Sequence, residues 1–64
     1  MDLLQLQYFR EIARCGTMSK AAERLFVSQP TLSGSLSRLE DGLGVALFER
    51  RRGRIALTRE GREF

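Results

Sequence analysis

The chain has 64 residues, one cysteine, no histidine and a formal net charge of +3. This length allows one small domain, which would bury only about 60% of its unfolded surface. The single cysteine excludes a disulfide framework and predicts a reducing, intracellular setting. No apolar run approaches the roughly 20 residues of a membrane span, and the first residues lack the pattern of a secretory signal. We therefore expect a soluble, cytoplasmic domain.

Two short amphipathic helices are predicted at the start of the chain. Apolar residues recur at three- and four-residue steps over about residues 3–14, which indicates the first helix. Gly16 is typical of the left-handed residue that ends a helix. The second helix is predicted over about residues 18–26, with Thr17 or Ser19 as its N-cap residue. Its two adjacent alanines would allow close approach to a neighbouring helix.

A third helix is predicted over about residues 29–41, after a tight turn that Val27 fills. Ser28 is a good N-cap residue, and Pro30 lies in the first turn, where its missing N–H costs nothing. Glycines at positions 42 and 44 are expected to end the helix. Small polar residues alternate with the apolar ones and suit a surface that meets a polar groove. The side chains predicted to be buried are four leucines at helical spacing: Leu32, Leu36, Leu39 and Leu43.

A charged hairpin, or wing, is predicted next. Two short apolar runs, 45–48 and 55–57, flank the arginine-rich segment 50–54, and Thr58 can cap a further helix. Residues 49–64 hold six arginines against three glutamates, whereas the preceding residues are balanced. A solvated loop is the plain interpretation of such a charge run. The use of arginine rather than lysine, beside a glycine, favours a segment that binds anions.

Catalysis is disfavoured by composition. Without histidine, no Ser-His or Cys-His pair can activate a nucleophile. One cysteine and scattered carboxylates do not give the spacing of a metal site. We therefore predict no catalytic residue, no cofactor and no metal. A winged helix used only for protein interaction is the alternative class, and it predicts that neither the arginine segment nor the start of the third helix binds a polyanion.

Six short motifs run in register along nearly the whole chain. They are Leu6-x-Tyr8-Phe9, Ala21-Ala22-x-x-Leu25, Val27-Ser28-Gln29-Pro30-x-Leu32-Ser33, Leu39-Glu40-x-x-Leu43-Gly44, Leu47-Phe48-x-Arg50 and Leu57-Thr58-x-x-Gly61. At these spacings the chain resembles the N-terminal DNA-binding domain of LysR-type transcriptional regulators. The resemblance implies a mainly α, winged helix-turn-helix fold with a three-helix core and a short two-stranded β wing. It also implies a DNA-binding domain over residues 1–58 and the start of a truncated linker or dimerisation helix over residues 59–64.

The function that the resemblance implies is sequence-specific binding of double-stranded DNA. The third helix would be the recognition helix in the major groove, and the wing would lie on the backbone or in the minor groove. Residues of the recognition helix would face base edges, while hydroxyls near helix N-termini would bind phosphates. The implied DNA-binding residues are Thr17, Ser28, Gln29, Pro30, Thr31, Ser33, Arg52 and Arg54.

The chain departs from the family pattern at two places. Gly34 stands where the family commonly has arginine, which removes one DNA contact and places a glycine inside a helix at a cost of roughly 1 kcal/mol relative to alanine. The order of residues 51–54 also differs from the usual wing, so the question of which arginine enters the groove stays open. The family further implies a homodimeric or larger parent and a separate effector-binding domain. The chain alone would then bind as a monomer or weak dimer and would not respond to a small-molecule inducer.

Overall fold

A computed structural model describes residues 3–64, which form four helices and a two-stranded antiparallel sheet. The mainly α, winged helix-turn-helix architecture predicted from the sequence is confirmed. Residues 1 and 2 of the predicted domain lie outside the described residues, and the boundary after residue 58 stays a prediction. The elements are α1 (Leu3–Cys15), α2 (Met18–Leu25), α3 (Gln29–Leu43), β1 (Phe48–Arg51), β2 (Arg54–Leu57) and α4 (Arg59–Glu63).

Hydroxyl side chains begin three of the helices, as the sequence predicts. Ser28 Oγ accepts the N–H three residues further on at 3.2 Å, which satisfies a donor that has no intrahelical partner. Thr17 and Thr58 cap α2 and α4 in the same way, at 3.2 and 3.0 Å. Thr17, rather than Ser19, is therefore the cap of α2. Gly16 ends α1 with a φ of +76°, the left-handed conformation expected of it.

The core lies between α1, α2 and α3 and extends under the sheet. The side chains of Ile12, Leu32 and Leu47 are fully buried at its centre. Leu43, predicted to be buried, is 41% exposed because α3 ends at this residue and the chain turns away at Gly44. The complete set of buried apolar residues is Tyr8, Ile12, Met18, Ala21, Ala22, Leu32, Leu36, Leu39, Leu47, Phe48 and Ile55.

The turn between α2 and α3 differs from the prediction that α2 continues to Phe26. Phe26 takes a left-handed conformation with a φ of +59° and ends the helix, and its side chain is 94% exposed. Its N–H bonds back to Glu23 at 3.3 Å, and the next N–H, of Val27, bonds to Ala22 at 3.1 Å. This pair of bonds is a Schellman cap, which reverses the chain and turns Val27 toward the core.

The wing also differs in detail from the prediction. The first strand is Phe48–Arg51 rather than 45–48, so arginines lie in both strands as well as in the turn. Arg51 pairs with Arg54, which leaves a two-residue turn of Arg52 and Gly53. Both turn residues have positive φ, at +50° and +76°. This is the geometry of a type I′ turn, whose twist matches that of the paired strands.

Hydrogen bonds attach the hairpin to the helices at two edges. Glu40 of α3 accepts the N–H groups of Leu47 and Phe48 with Oε2, at 2.7 and 3.2 Å. This carboxylate engages the chain directly before the sheet and at its first residue, which explains why β1 begins later than the apolar run suggests. At the other edge, the N–H of Ile55 donates to the carbonyl of Gly16 at 2.9 Å.

Helix α4 packs behind the hairpin at a position that only glycine fits. A Cβ at Gly61 would overlap the carbonyl oxygen of Leu47, so this position has room for a hydrogen atom alone. That same carbonyl accepts the N–H of Thr58 at 2.9 Å. The ring of Phe9 lies between those of Phe48 and Phe64, with centroid separations of 5.3 and 5.2 Å. The wing is therefore supported from behind by both α1 and the end of α4.

Candidate nucleic-acid interface

The N-terminal end of α3 presents polar groups to solvent. Gln29, Pro30 and Thr31 are all exposed, as their predicted role requires. Ser28 Oγ accepts the Thr31 N–H at 3.2 Å and shares a hydroxyl–hydroxyl hydrogen bond with Thr31 Oγ1 at 2.8 Å. That bond uses one of the two hydroxyl protons and leaves the other to donate outward. At the α2 cap, the Thr17 oxygen accepts the Lys20 N–H at 3.2 Å.

The wing arginines fall into two groups. Arg50 donates from Nη2 to Ser33 Oγ at 3.1 Å, and Arg51 pairs with Glu49 at 3.1 Å. Arg52 and Arg54 are exposed, and within residues 3–64 no carboxylate lies within ion-pair distance of either. Their positive charges are therefore not neutralised by the protein. These are the two arginines that the sequence assigns to DNA.

A groove brings α2, α3 and the wing together. Its volume is about 240 Å³, and its walls include Ser19 near the start of α2, Gln29 at the start of α3, and residues 50–54 of the wing. Thus the first residue of α3 and both unpaired arginines border one concave surface. Of the other predicted residues, Ser33 joins this group through Arg50, whereas Thr17, Ser28, Pro30 and Thr31 lie outside the lining.

Charge is distributed unequally across this surface. The first nine residues of α3, Gln29–Ser37, include no charged side chain, and the first cation of the helix is Arg38. Gly34 lies within this segment, where an added Cβ would meet only Arg38 Nη1, at 3.8 Å. The helix end can therefore approach a polar groove closely through uncharged groups. The positive charge that borders the groove comes from the wing.

The hydrogen-bond partners of two side chains near the groove, Arg50 and Glu40, were not predicted from the sequence. The Arg50–Ser33 bond joins residues 17 positions apart, and no short motif signals it. In the sequence Glu40 is simply one of two adjacent carboxylates, yet in the fold it holds the start of the hairpin against α3. Both contacts depend on how the hairpin folds back on the helix, which local residue patterns do not encode.

A second charged cluster lies where α1 meets α2. Arg24 Nε donates to Glu11 Oε1 at 2.8 Å. This hydrogen bond holds the pKa of Glu11 below its usual value. Burial raises the pKa of the nearby Cys15 thiol, and a weak contact with Glu11 at 3.6 Å adds to this effect. A raised pKa makes Cys15 a poor nucleophile at neutral pH.

Two further properties concern the whole described chain. Over residues 3–64, no group of three or more His, Cys, Asp or Glu side chains could hold a metal ion. In the same range, no helix has the length and apolar character needed to cross a membrane. The three-helix core, the capped third helix and the hairpin beside it define a winged helix-turn-helix protein.

Comparison with known proteins identifies the family. Residues 3–62 match the family described as bacterial regulatory helix-turn-helix proteins of the lysR family. Since the match covers nearly the whole chain, the protein belongs to this family. The chain is 45% identical over 64 residues to the HTH-type transcriptional regulator TcbR of Pseudomonas sp. strain P51, of which it covers 22%. It spans about a fifth of the length of the curated relatives that it matches.

Solved structures of relatives have the same fold. The DNA-binding domain of CbnR, in a complex with DNA, superposes with a TM-score of 0.95 at 45% identity. That of BenM, bound to benA site 1 DNA, superposes with a TM-score of 0.94 at 38% identity. Each match covers all of this chain and 74% of the other. The chain thus has the fold of the DNA-binding domain of LysR-type regulators.

Proposed function

We propose that this chain binds double-stranded DNA sequence-specifically, with α3 in the major groove and the wing on the backbone or in the adjacent minor groove. The observation that carries the proposal is the shared groove: Gln29 of α3 and the unpaired Arg52 and Arg54 border the same surface. A duplex presents base edges and phosphates side by side, which matches an uncharged helix end next to free guanidinium groups. The DNA complexes of CbnR and BenM, whose domains share this fold, support the proposal.

Each residue at the helix end has a role that fits its chemistry. The Gln29 amide can pair with an adenine edge, and Pro30 and Thr31 offer apolar contact to a thymine methyl group. Ser33 offers its hydroxyl to base edges in the same major groove of DNA. Thr17 and Ser28 lie at helix N-termini, where free amides favour phosphate. The wing contacts are assigned to Arg52 and Arg54.

The proposal extends to the setting in which the domain acts. The relatives are transcriptional regulators, which supports a role in regulation without catalysis. A regulator of bacterial transcription acts in the cytoplasm, at the nucleoid. Because the chain covers about a fifth of its relatives, a homodimeric parent and a small-molecule effector that acts through another domain are predictions of the family resemblance.

The test is a salt titration of binding to a pool of mixed duplexes. The logarithm of the binding constant should fall linearly with the logarithm of salt concentration. Arg52→Ala combined with Arg54→Ala should reduce that slope by about 0.9 for each phosphate that is no longer neutralised. Gln29→Ala should leave the slope unchanged and change which duplexes are retained, at about 1–3 kcal/mol of discrimination.

A matched control removes the same charge elsewhere. Arg10 and Arg14 are exposed on α1, away from the groove lining, so their double replacement by alanine should change the slope much less. Equal slopes for the two double variants would show that net charge alone drives binding. Absence of salt-dependent binding by the parent chain, at low ionic strength and high concentration, would favour the protein-interaction alternative.

A further inference from the structure

Besides the Glu40 contacts at the start of β1, a hydrogen bond between two side chains joins the wing to α3. Arg50 of β1 donates from Nη2 to Ser33 Oγ at 3.1 Å. Arg50 is exposed and Ser33 is half-buried, so the bond forms at the edge of the surface assigned to DNA. Arg50 also lines the groove shared with Gln29. The bond therefore lies at the junction of the charged hairpin and the uncharged helix end.

The chemistry of the two groups fixes the direction of this bond. A guanidinium carries five donors and no acceptor, so Ser33 Oγ must be the acceptor. The hydroxyl keeps its own proton, which can then go only to a different acceptor. DNA offers such acceptors in the major groove, at guanine N7 and O6, adenine N7 and thymine O4, and on its phosphates. If α3 lies in the major groove, as proposed, the bond from Arg50 leaves the Ser33 hydroxyl proton available for one of these acceptors.

The neighbouring arginines show that this arrangement is specific to Arg50. Arg51 pairs with Glu49, two residues away in its own strand, and both side chains are largely exposed. Arg52 lies at the tip of the turn. The bond to Ser33 thus gives Arg50 a direct connection to a side chain of α3, whereas the partner of Arg51 lies within the wing itself.

We propose that Arg50 is a positioning residue: it fixes the wing at a set distance from α3 and orients the Ser33 hydroxyl as a donor. Its role differs from that of Arg52 and Arg54, which supply charge for phosphates. The part of this inference that concerns DNA rests on the proposed function. The part that concerns the position of the wing holds for the free domain.

The first test is a double-mutant cycle on DNA binding. Arg50→Ala and Ser33→Ala should each weaken binding of a preferred duplex by about three- to tenfold, the range for one hydrogen bond. In the Ser33→Ala background, Arg50→Ala should have no further effect, because Arg50 acts through Ser33. The salt slope should be the same for Arg50→Ala and the parent chain. Arg51→Ala is the control, since it removes a neighbouring arginine that does not contact Ser33.

The second test needs no DNA. In the free 64-residue chain, ¹⁵N relaxation measures the fast motion of the Arg52 and Gly53 amides. This motion should increase equally in Arg50→Ala and Ser33→Ala. Arg51→Ala should leave it unchanged. Arg50→Lys keeps the charge but loses the planar guanidinium, so the salt slope of DNA binding should be unchanged while the turn amides become almost as mobile as in Arg50→Ala.

The outcomes separate this inference from the proposed function. If Arg50→Ala costs the same affinity in both backgrounds and lowers the slope by about 0.9, Arg50 is a phosphate contact and the inference is overturned. Unchanged motion at the turn in Ser33→Ala also overturns it. If the parent chain binds no DNA, the proposed function fails, and the relaxation experiment alone decides whether Arg50 positions the wing.

Discussion

The start of α3 and the wing border the same groove but differ in charge and in anchorage. Residues 29–37 of α3 carry no charge, while four arginines fall within residues 50–54. α3 buries four side chains in the core, whereas each strand of the wing buries one, Phe48 or Ile55, and hydrogen bonds at the edges complete its attachment. The two surfaces that border the groove are therefore anchored by burial and by hydrogen bonds in different proportions.

The difference separates two tasks. Contacts to phosphates give affinity that depends on salt but little on sequence, whereas contacts to base edges discriminate between sequences. An uncharged helix end is suited to discrimination, because it gains little from merely being near a polyanion. A charged hairpin is suited to attraction. Substitutions that disturb one element without the other test this division.

The largest effect is expected for Leu32→Ala, which removes most of a fully buried side chain that holds α3 in the core. Leu32 is 0% exposed, and truncating a buried leucine to alanine lowers the free energy of unfolding by about 2–5 kcal/mol. A domain of this size has little stability to lose, so we expect most molecules of the variant to be unfolded at about 37 °C. Urea denaturation followed by circular dichroism measures this. The control is Leu4→Ala, at a side chain that is 52% exposed, which should change the urea midpoint only slightly. Equal losses of stability in the two variants would show that Leu32 does not anchor α3.

Gly61→Ala should act on the wing from behind. The added Cβ would overlap the Leu47 carbonyl, which belongs to the backbone and cannot rotate away, so α4 or the hairpin must shift at a cost of about 1–3 kcal/mol. We expect the largest amide chemical-shift changes at residues 46–48 and 55–58, with those of α3 residues 29–36 nearly unchanged. Gly42→Ala has open space and should show no such pattern. Shifts of similar size in α3 would contradict the separate anchorage of the two elements.

The smallest effect is expected for Gly34→Ala, and it is stabilising. An alanine at this helical position meets only the Arg38 side chain at ordinary contact distance, so helix propensity should raise the free energy of unfolding by about 0.5–1 kcal/mol. That gain corresponds to roughly 2–8 °C in the thermal midpoint of a small domain. A lower midpoint would mean that Gly34 is needed for packing. Weaker DNA binding by the more stable variant would show that the bare backbone itself approaches the duplex.

The starts of α2, α3 and α4 and the end of α1 could be predicted because local chemistry determines them. Thr17, Ser28 and Thr58 cap helices by bonding to an amide three residues away, so the signal lies within a few positions of sequence. Gly16 adopts the predicted left-handed conformation for an equally local reason. The candidate DNA-binding residues followed from the family motifs, and the exposure of Gln29, Pro30 and Thr31 is consistent with that assignment.

The wing could not be placed correctly because distant contacts position it. Its first strand begins late because Glu40, eight residues before Phe48, accepts the amides of Leu47 and Phe48, directly before and at the observed start of the strand. Phe26 was missed for a different reason: its cap is formed by local bonds to Ala22 and Glu23, but an aromatic side chain is a poor signal for a left-handed helix end. Which arginines stay unpaired also depended on the fold, since Ser33 engages Arg50 and Glu49 engages Arg51.

The bond from the Ile55 amide to the Gly16 carbonyl has a mechanical consequence. Gly16 directly precedes Thr17, so β2 and the start of α2 are joined by one backbone contact of 2.9 Å. The distance between the wing and the α2 cap is therefore set within the protein. If both elements contact one duplex, as proposed, a duplex whose backbone spacing does not fit must either bend, at an elastic energy that depends on base sequence, or break this bond. Such a link favours easily deformed sites even at base pairs that no side chain touches.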